Sequence, residues 1–289
     1  MDNKDGIREF LATRRANITP EQAGLPVYGT NRRVKGLRRE EVAMLAGISV
    51  EYYTRLERGN THGVSDDVLE GIVRALHLDE AERAHLFDLV RAASTTNAPR
   101  RQPAQERVRQ GVQQILDSIA APAYVRNERL DVLAANRLGE ALYSPVFNFA
   151  SRPVNVARFL FLSPNASEFF VDWDTIAHDA VAILRAEAGR DPHDRRLSDL
   201  IGELATRSDE FRVRWAAHNV KFHRTGTKRF HHPVVGEVTL NFEALELAAD
   251  PGQRLNVYTA EPGSPSNDAL NLLASWITTP TDVTTGGDT

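Results

Sequence analysis

The chain has 289 residues, with 35 basic and 39 acidic side chains, a net charge of −4 and 42% hydrophobic residues. That length predicts one large or two ordinary domains, and the apolar content suffices for their cores. The absence of cysteine excludes disulfides and thiolate metal sites, which fits a reducing cytoplasm. The first residues lack the pattern of a secretory signal, and no apolar run approaches the ~20 residues of a membrane span. We therefore expect a cytoplasmic protein without membrane contact.

Composition predicts four parts along the chain. Residues 1–93 have almost only helical patterns, with capped helix starts at Ser65 and Asp79. Residues 94–106 hold two prolines and small polar residues without apolar periodicity, which predicts a linker. Residues 107–276 mix helical and strand-like stretches. The last part, residues 277–289, has the composition of a disordered tail.

The stretch EEVAMLAGISVEYYTRLERG, residues 40–59, predicts two short helices joined by a tight turn. The first helix covers residues 39–46, and Gly47 suits a left-handed helix end. Ser49 is a good N-cap for a second helix over residues 50–58. A turn of about three residues makes the helices cross steeply, which is the helix-turn-helix arrangement of DNA readers.

The second helix of this motif is predicted to have a buried side and a DNA-reading side. Tyr53 and Leu56, three residues apart, are predicted to face inward. Arg55 suits a bidentate contact with guanine, and Glu51 could accept from cytosine or orient Arg55. The predicted DNA-contacting residues of the motif are Ser49, Val50, Glu51, Tyr52, Arg55 and Arg58.

A basic run, RRVKGLRR at residues 32–39, precedes the motif and contains no acidic residue. Such a run could neutralise DNA phosphates. Its predicted DNA-contacting residues are Arg32, Arg33, Lys35, Arg38 and Arg39. Residues 1–95 hold 14 basic and 15 acidic side chains, so DNA binding would depend on a local basic face. The alternative is an ordinary helical hairpin with a solvated charged face.

Residues 33–90 resemble a Cro/cI-type helix-turn-helix domain of the XRE class of bacterial regulators. The resemblance rests on the hydrophobic frame, Gly47 and the stretch GLRREEVAMLAGISVEYYTRLERG. About twenty residues before Leu37 depart from simple phage repressors, and Thr19-Pro20-Glu21-Gln22 predicts a capping box with an extra helical turn. The resemblance implies an all-α helix-turn-helix bundle that binds double-stranded DNA. We expect a homodimer on a palindromic operator.

Residues 107–276 predict an α+β domain that is PAS-like in outline, with strands near both ends and helices between them. Strands are predicted on both sides of a turn at residues 127–129, and over 232–247 and 254–261. Helices are predicted over residues 174–188, 195–206 and 210–218. Asn136 and Ser266 are predicted N-caps.

Three stretches, PAYVRNERLDVLAANRLGEAL, GTKRFHHPVVGEVTL and VYTAEPGSPSNDALNLL, resemble the ligand-binding domain of MmyB-like transcription regulators. The resemblance implies that residues 107–276 hold an apolar, fatty-acid-like small molecule. The candidate ligand-binding residues are Trp215, His218, Lys228, Phe230, His231 and Tyr258. Lys228, His218 or Tyr258 could hold a carboxylate. For each candidate the alternative is a structural role in the core.

Catalytic and metal-binding motifs are not evident. The nine histidines include no H-E-x-x-H pattern, and adjacent His231 and His232 would point to opposite faces of a strand. Neither a nucleophile elbow nor a phosphate-binding glycine loop is present. We expect no metal, no cofactor and no enzymatic activity. The alternative function is a lipid carrier or enzyme that uses the helical domain for protein interaction.

Overall fold

The structure, a computed structural model, describes residues 3–25, 34–94, 107–149, 152–217 and 225–278. It divides into two compact units. The first consists of residues 1–101 and 178–222, and the second of residues 102–177 and 223–289. Within the described ranges, no helix is both long and apolar enough to cross a membrane.

Among the described residues up to Ser94, the chain forms five helices, as the helical patterns predict. They are α1 (Asn3–Asn17), α2 (Arg39–Ala46), α3 (Val50–Glu57), α4 (Asp66–Ala75) and α5 (Glu80–Ser94). Their apolar sides meet in one core, which includes Phe10, Tyr53 and Ile72. Since helices of eight residues are marginal alone, this burial, about 1.5–3 kcal/mol per large side chain, stabilises the bundle.

The predicted helix starts in this bundle are confirmed. The side chains of Ser49 and Ser65 accept hydrogen bonds from the backbone N–H three residues on, at 3.1 and 3.4 Å. Asp79 and Glu82 each accept from the other's backbone N–H, at 2.9 and 3.0 Å. These bonds satisfy amide groups that have no partner within the helix.

The capping box predicted at Thr19 and Gln22 also forms. The backbone N–H of Thr19 donates to Gln22 Oε1 at 2.9 Å, and the N–H of Gln22 lies 3.3 Å from Thr19 Oγ1. It closes an isolated turn, in which the N–H of Leu25 bonds back to the carbonyl of Pro20 at 2.8 Å. The next residues, 26–33, lie outside the described part.

The rest of the described chain holds nine helices and five strands. The helices are α6 (Gln110–Ser118), α7 (Arg137–Leu142), α8 (Ser144–Phe147), α9 (Val156–Leu162), α10 (Ala166–Phe169), α11 (Trp173–Arg190), α12 (Arg195–Arg207), α13 (Asp209–Ala216) and α14 (Pro265–Thr278). The strands are β1 (Ala123–Asn127), β2 (Val132–Ala135), β3 (Thr225–His232), β4 (Gly236–Glu246) and β5 (Gln253–Thr259). The mixture confirms the α+β class; the PAS-like outline stays a prediction.

The strands form one antiparallel sheet in the order β2-β1-β5-β4-β3. On one face, Val112 and Leu116 of α6 pack with Val125 and Leu255 of the sheet. Because side chains alternate along a strand, Tyr124, next to Val125, faces the other side. That second side, the inner face, carries the candidate ligand site.

Two sequence predictions in this region are wrong in detail. The stretch 232–247 is not one strand, because β3 ends at His232, and Pro233, which has no N–H for a sheet, opens the turn to β4. The predicted cap at Ser266 is also wrong. Ser264 Oγ accepts from the backbone at the start of α14, at 3.2 Å, and Ser266 Oγ accepts from the N–H of Thr239, at 2.9 Å. Ser266 therefore joins α14 to β4.

The predicted cap at Asn136 is confirmed. Its Oδ1 accepts from the N–H of Gly139, at 2.7 Å, and from the N–H of Ala123, at 3.1 Å. One side chain thus caps α7 and fixes that helix to β1.

Candidate functional sites

The turn between α2 and α3 depends on Gly47. Gly47 has φ 70° and ψ 30°, a left-handed conformation that costs glycine little. Its N–H donates to the carbonyl of Met44 at 3.2 Å, and the N–H of Ile48 donates to the carbonyl of Ala43 at 3.0 Å. The end of α2 is therefore satisfied within the turn. Ser49 caps α3 directly afterwards, so the two helices meet without a longer loop.

Helix α3 buries one side and exposes the other. Tyr53 and Leu56 are fully buried, which confirms the predicted inward side. The exposed residues of α3 and its C-cap are Val50, Glu51, Arg55 and Arg58. Within the described part of the chain, no carboxylate forms an ion pair with Arg55 or Arg58, so both guanidinium groups can reach an external anion.

Tyr52 positions Arg55 on this exposed side. The guanidinium carbon of Arg55 lies 5.5 Å from the centre of the Tyr52 ring, within cation–π range. The Tyr52 hydroxyl lies 3.5 Å from the carbonyl oxygen of Gly63, in the loop that follows α3. The i,i+3 spacing of Tyr52 and Arg55 is the sequence signal for this contact.

Glu57, which the sequence analysis did not select, is a buried anchor of the reading helix. It is 1% exposed, and its carboxylate accepts from Arg15 Nε at 2.7 Å and from Arg39 Nε. The Tyr53 hydroxyl lies 3.4 Å away. Burial, and next the charge of Glu57, raise the pKa of Tyr53 well above its usual value. Because desolvating a carboxylate is costly, these partners hold α1, α2 and α3 together.

The predicted basic run is only partly within the described chain. Outside it lie Arg32 and Arg33. Lys35 is exposed before α2. Arg38 pairs with Glu40 at 3.2 Å, and Arg39 pairs with buried Glu57. Arg39 therefore has a structural role in the bundle, and DNA contacts by the run stay a prediction.

The inner face of the sheet carries a set of packed rings, here called the aromatic cluster. Its members are Tyr124, Tyr143, Phe169, Phe170, Phe230, Phe242 and Tyr258. All seven are buried, and neighbouring ring centroids lie 4.7–6.2 Å apart. Strands β1, β3, β4 and β5 supply four of the rings; Phe169 comes from α10, and Tyr143 and Phe170 directly follow α7 and α10.

Three tyrosine hydroxyls and one amine meet at this cluster. Tyr258 Oη lies 2.6 Å from Tyr143 Oη and 3.5 Å from Tyr124 Oη. The half-buried Lys228 places Nζ 3.3 Å from Tyr258 Oη and 4.5 Å from the centre of the Phe242 ring. Burial, and next the neighbouring tyrosines, raise the pKa values of Tyr143 and Tyr258 well above the usual value, so both hydroxyls stay neutral. A cation and neutral donors thus lie beside packed aromatic rings, a combination that suits an acidic group on an apolar body.

The structure places Lys228, Phe230 and Tyr258, all predicted ligand residues, on this face. His231 differs, because it follows Phe230 directly and is exposed on the opposite face. His232 is the buried histidine of the pair, at 1% exposure.

The two remaining predicted ligand residues are not among those described on this face. Trp215 belongs to the first compact unit, where it stacks on Phe211 with ring centroids 5.5 Å apart. The guanidinium of Arg185 lies 4.1 Å from the centre of the Trp215 ring. Trp215 is therefore engaged in contacts between helices. His218 lies outside the described residues.

His232 has a structural arrangement rather than a catalytic one. Its Nδ1 accepts from the N–H of Val234 at 3.2 Å, so Nε2 carries the proton and donates to the carbonyl of Ala141 at 3.0 Å. Burial lowers its pKa. Ser144 Oγ lies 3.4 Å from Nε2, but a protonated nitrogen cannot remove the proton of Ser144. In the described ranges, no three His, Asp or Glu side chains cluster as a metal site would require.

Family models match both parts of the chain. A helix-turn-helix domain model matches residues 9–86, which include α2 and α3. The model of the MmyB-like transcription regulator ligand binding domain matches residues 108–273, more than half of the chain. The chain belongs to the MmyB-like transcription regulators. A search of curated proteins found no match.

Membership establishes the coarse function of this MmyB-like regulator. It is a DNA-binding transcription regulator with a ligand-binding domain. The aromatic cluster and Lys228 lie within the ligand-binding match, and the exposed side of α3 lies within the helix-turn-helix match. Both matches are to domains of regulators rather than of enzymes.

Proposed function

We propose that this MmyB-like regulator binds a palindromic operator as a homodimer, and that a fatty-acid-like ligand in its second domain changes that binding. The observation that carries the proposal is the exposed side of α3, where Arg55 and Arg58 have no acidic partner among the described residues. Two exposed arginines on a capped helix that is anchored in the bundle suit contacts with DNA, whose phosphates are negatively charged and whose base edges carry the sequence.

The contacts on DNA divide into base reading and phosphate binding. Arg55, supported by the Tyr52 ring, would read guanine, and Glu51 would accept from cytosine. Arg58 and the N-terminus of α3 at Ser49 suit phosphates. Lys35 and Arg38, both exposed before α2, would add phosphate contacts.

Dimerisation follows from the small size of the reading element. Helix α3 has eight residues and reads few base pairs, which limits the affinity of one copy. Two copies related by twofold symmetry would read half-sites about 10 bp apart and share one operator. A palindromic sequence is the expected result.

The ligand proposal rests on the aromatic cluster and its polar end. Lys228 Nζ would pair with a carboxylate, and the Tyr258 hydroxyl would donate a second hydrogen bond. The rings of Phe230 and Phe242 would contact the aliphatic chain of the ligand. A long-chain monocarboxylate meets these requirements, and a cytoplasmic location would give access to it.

The alternative is a lipid carrier or enzyme that uses the helical domain for protein interaction. It predicts no sequence-specific DNA binding, together with transfer or turnover of a fatty acid. The match of both domains to regulator families favours the first proposal.

Replacing Arg55 tests the DNA-reading role. Arg55→Ala is expected to weaken binding to an operator selected from random DNA by about 5- to 150-fold, because a bidentate contact gives about 1–3 kcal/mol of discrimination. Binding to scrambled DNA should change much less. Fluorescence anisotropy with labelled duplexes measures both.

The matched control is Arg74→Ala, which removes one exposed arginine from α4. It is expected to leave operator affinity within about twofold. Unchanged operator affinity in a folded Arg55→Ala variant would contradict the assignment of α3 as the reading helix.

A further inference from the structure

Helix α11 approaches α5 at Gly189. A methyl group at Gly189 would lie 2.7 Å from Cε1 of His85 and 3.3 Å from Cδ2 of Leu89. His85 is buried and lies edge-on to the Phe10 ring, with centroids 5.1 Å apart, so its imidazole is held in place. In an interior packed this closely, only glycine admits the observed approach.

Charged side chains accompany this contact. Arg190 Nε lies 3.9 Å from Asp88 Oδ2 on α5. Arg185, one turn before Gly189, is buried; burial lowers its pKa to about 10, and the negative charge of Glu9 on α1 opposes that shift. Arg185 also donates to the carbonyl of Trp215, so α13 is joined to α11 here. The end of α11 is thus held against α5 and lies near α1, two helices whose apolar sides share one core with α2 and α3.

The other end of α11 is tied to the sheet. Asp172, directly before the helix, pairs with Arg229, which lies beside Lys228 on β3. The Trp173 indole N–H donates to the carbonyl of Leu160 at 3.0 Å. Helix α11 itself has 18 residues, Trp173–Arg190. Asp172, directly before α11, therefore contacts the strand of Lys228, and Gly189, near the end of α11, contacts α5.

The contact at Gly189 does not cover the reading side of α3. Arg55 and Arg58 remain exposed while α11 lies against α5. The arrangement is therefore compatible with DNA binding, and its effect would be to restrain the reading helices rather than to block them.

We propose that α11 transmits the ligand state to the DNA-reading helices, with Gly189 as its docking point on α5. This inference rests on the proposed function. Docking of α11 on α5 restrains the positions of the reading helices in the DNA-free protein and so supports tight operator binding. A ligand that shifts β3 moves Asp172 and the start of α11, and so changes the docked population.

Gly189→Ala tests the docking point in the full-length, ligand-free chain. We expect its operator affinity to fall by at least about fivefold, the lower end of typical coupling between sites. Gly202→Ala on α12 is the matched control, since a methyl group there meets no atom within 4 Å, and it should keep the affinity of the original chain. Adding His85→Ala to Gly189→Ala removes the ring that the methyl group meets, and should recover most of the loss.

A second variant serves if Gly189→Ala does not fold. Arg190→Gln removes the pair with Asp88, together with the pair with Glu187 within α11, without adding volume, and is expected to weaken operator binding about two- to fivefold at low salt. Circular dichroism melting establishes that each variant is folded.

The outcomes separate this inference from the proposed function. If the original chain binds its operator but sodium palmitate has no effect, the ligand class is wrong, and the ligand-free comparison of the two glycine variants still decides the docking role. Equal operator affinity of folded Gly189→Ala and Gly202→Ala overturns the docking role. A chain that binds no DNA specifically overturns the proposed function and this inference together.

Discussion

Replacing Glu57 by alanine is expected to lower the free energy of unfolding of the N-terminal helices by about 3 kcal/mol. The variant leaves Arg15, whose side chain is 16% exposed, without its carboxylate partner, and Tyr53 loses a neighbour at 3.4 Å. Removing one partner of a buried ion pair costs about 3–5 kcal/mol. Because the Arg39 side chain is 48% exposed, it can turn toward water in the variant. We therefore expect a loss of unfolding free energy at the lower end of that range.

Calorimetric unfolding of the full-length chain measures this effect. For a bundle of this size, about 3 kcal/mol corresponds to a fall of about 12 °C or more in its transition. The control is Glu40→Ala, which removes the exposed partner of Arg38 and should cost less than about 1 kcal/mol. A Glu57→Ala transition no lower than that of Glu40→Ala would contradict the anchoring role. Operator binding should fall with stability, because Glu57 holds α3 against α1 and α2.

Replacing Lys228 by methionine is expected to weaken palmitate binding by about 10- to 150-fold. Methionine keeps the apolar length of the side chain and removes the ammonium group 3.3 Å from Tyr258 Oη. Hydrogen bonds to charged groups contribute about 1.5–3 kcal/mol, which gives this range. Isothermal titration calorimetry of the delipidated protein measures the affinity.

Two controls test whether the effect comes from the carboxylate. Hexadecanol, which has the same chain length without a charge, should bind both proteins alike. His231→Gln changes the neighbouring exposed side chain on the opposite face of β3 and should leave palmitate affinity unchanged. Equal palmitate affinity of Lys228→Met and the original chain would remove Lys228 from the ligand site.

The reading motif could be predicted because its determinants are local in sequence. Gly47 ends α2, Ser49 caps α3, and the spacing of Tyr53 and Leu56 defines the buried side. Glu57 was missed because a glutamate near a helix end is usually solvated. Its position four residues after Tyr53 nevertheless places it on the buried side.

The ligand site could be predicted only in part, because it depends on strand pairing far apart in sequence. Tyr124 joins the aromatic cluster through the pairing of β1 with β5. The two-residue period of β3 does connect Lys228, Phe230 and His232 on one face, and it excludes His231. The sequence predicts Trp215 as a ligand-binding residue. Its place in the first compact unit and its contact with Arg185 depend on tertiary packing, which the sequence pattern does not show.

Ligand control of DNA binding is tested most directly by fluorescence anisotropy of the delipidated full-length chain on its selected operator, across a salt series, with and without sodium palmitate. We predict tight binding that weakens steeply with salt, since phosphates are neutralised by basic side chains, and a change in Kd of at least about fivefold on addition of palmitate. Sequence-independent binding, or none, in both states would contradict a ligand-controlled regulator.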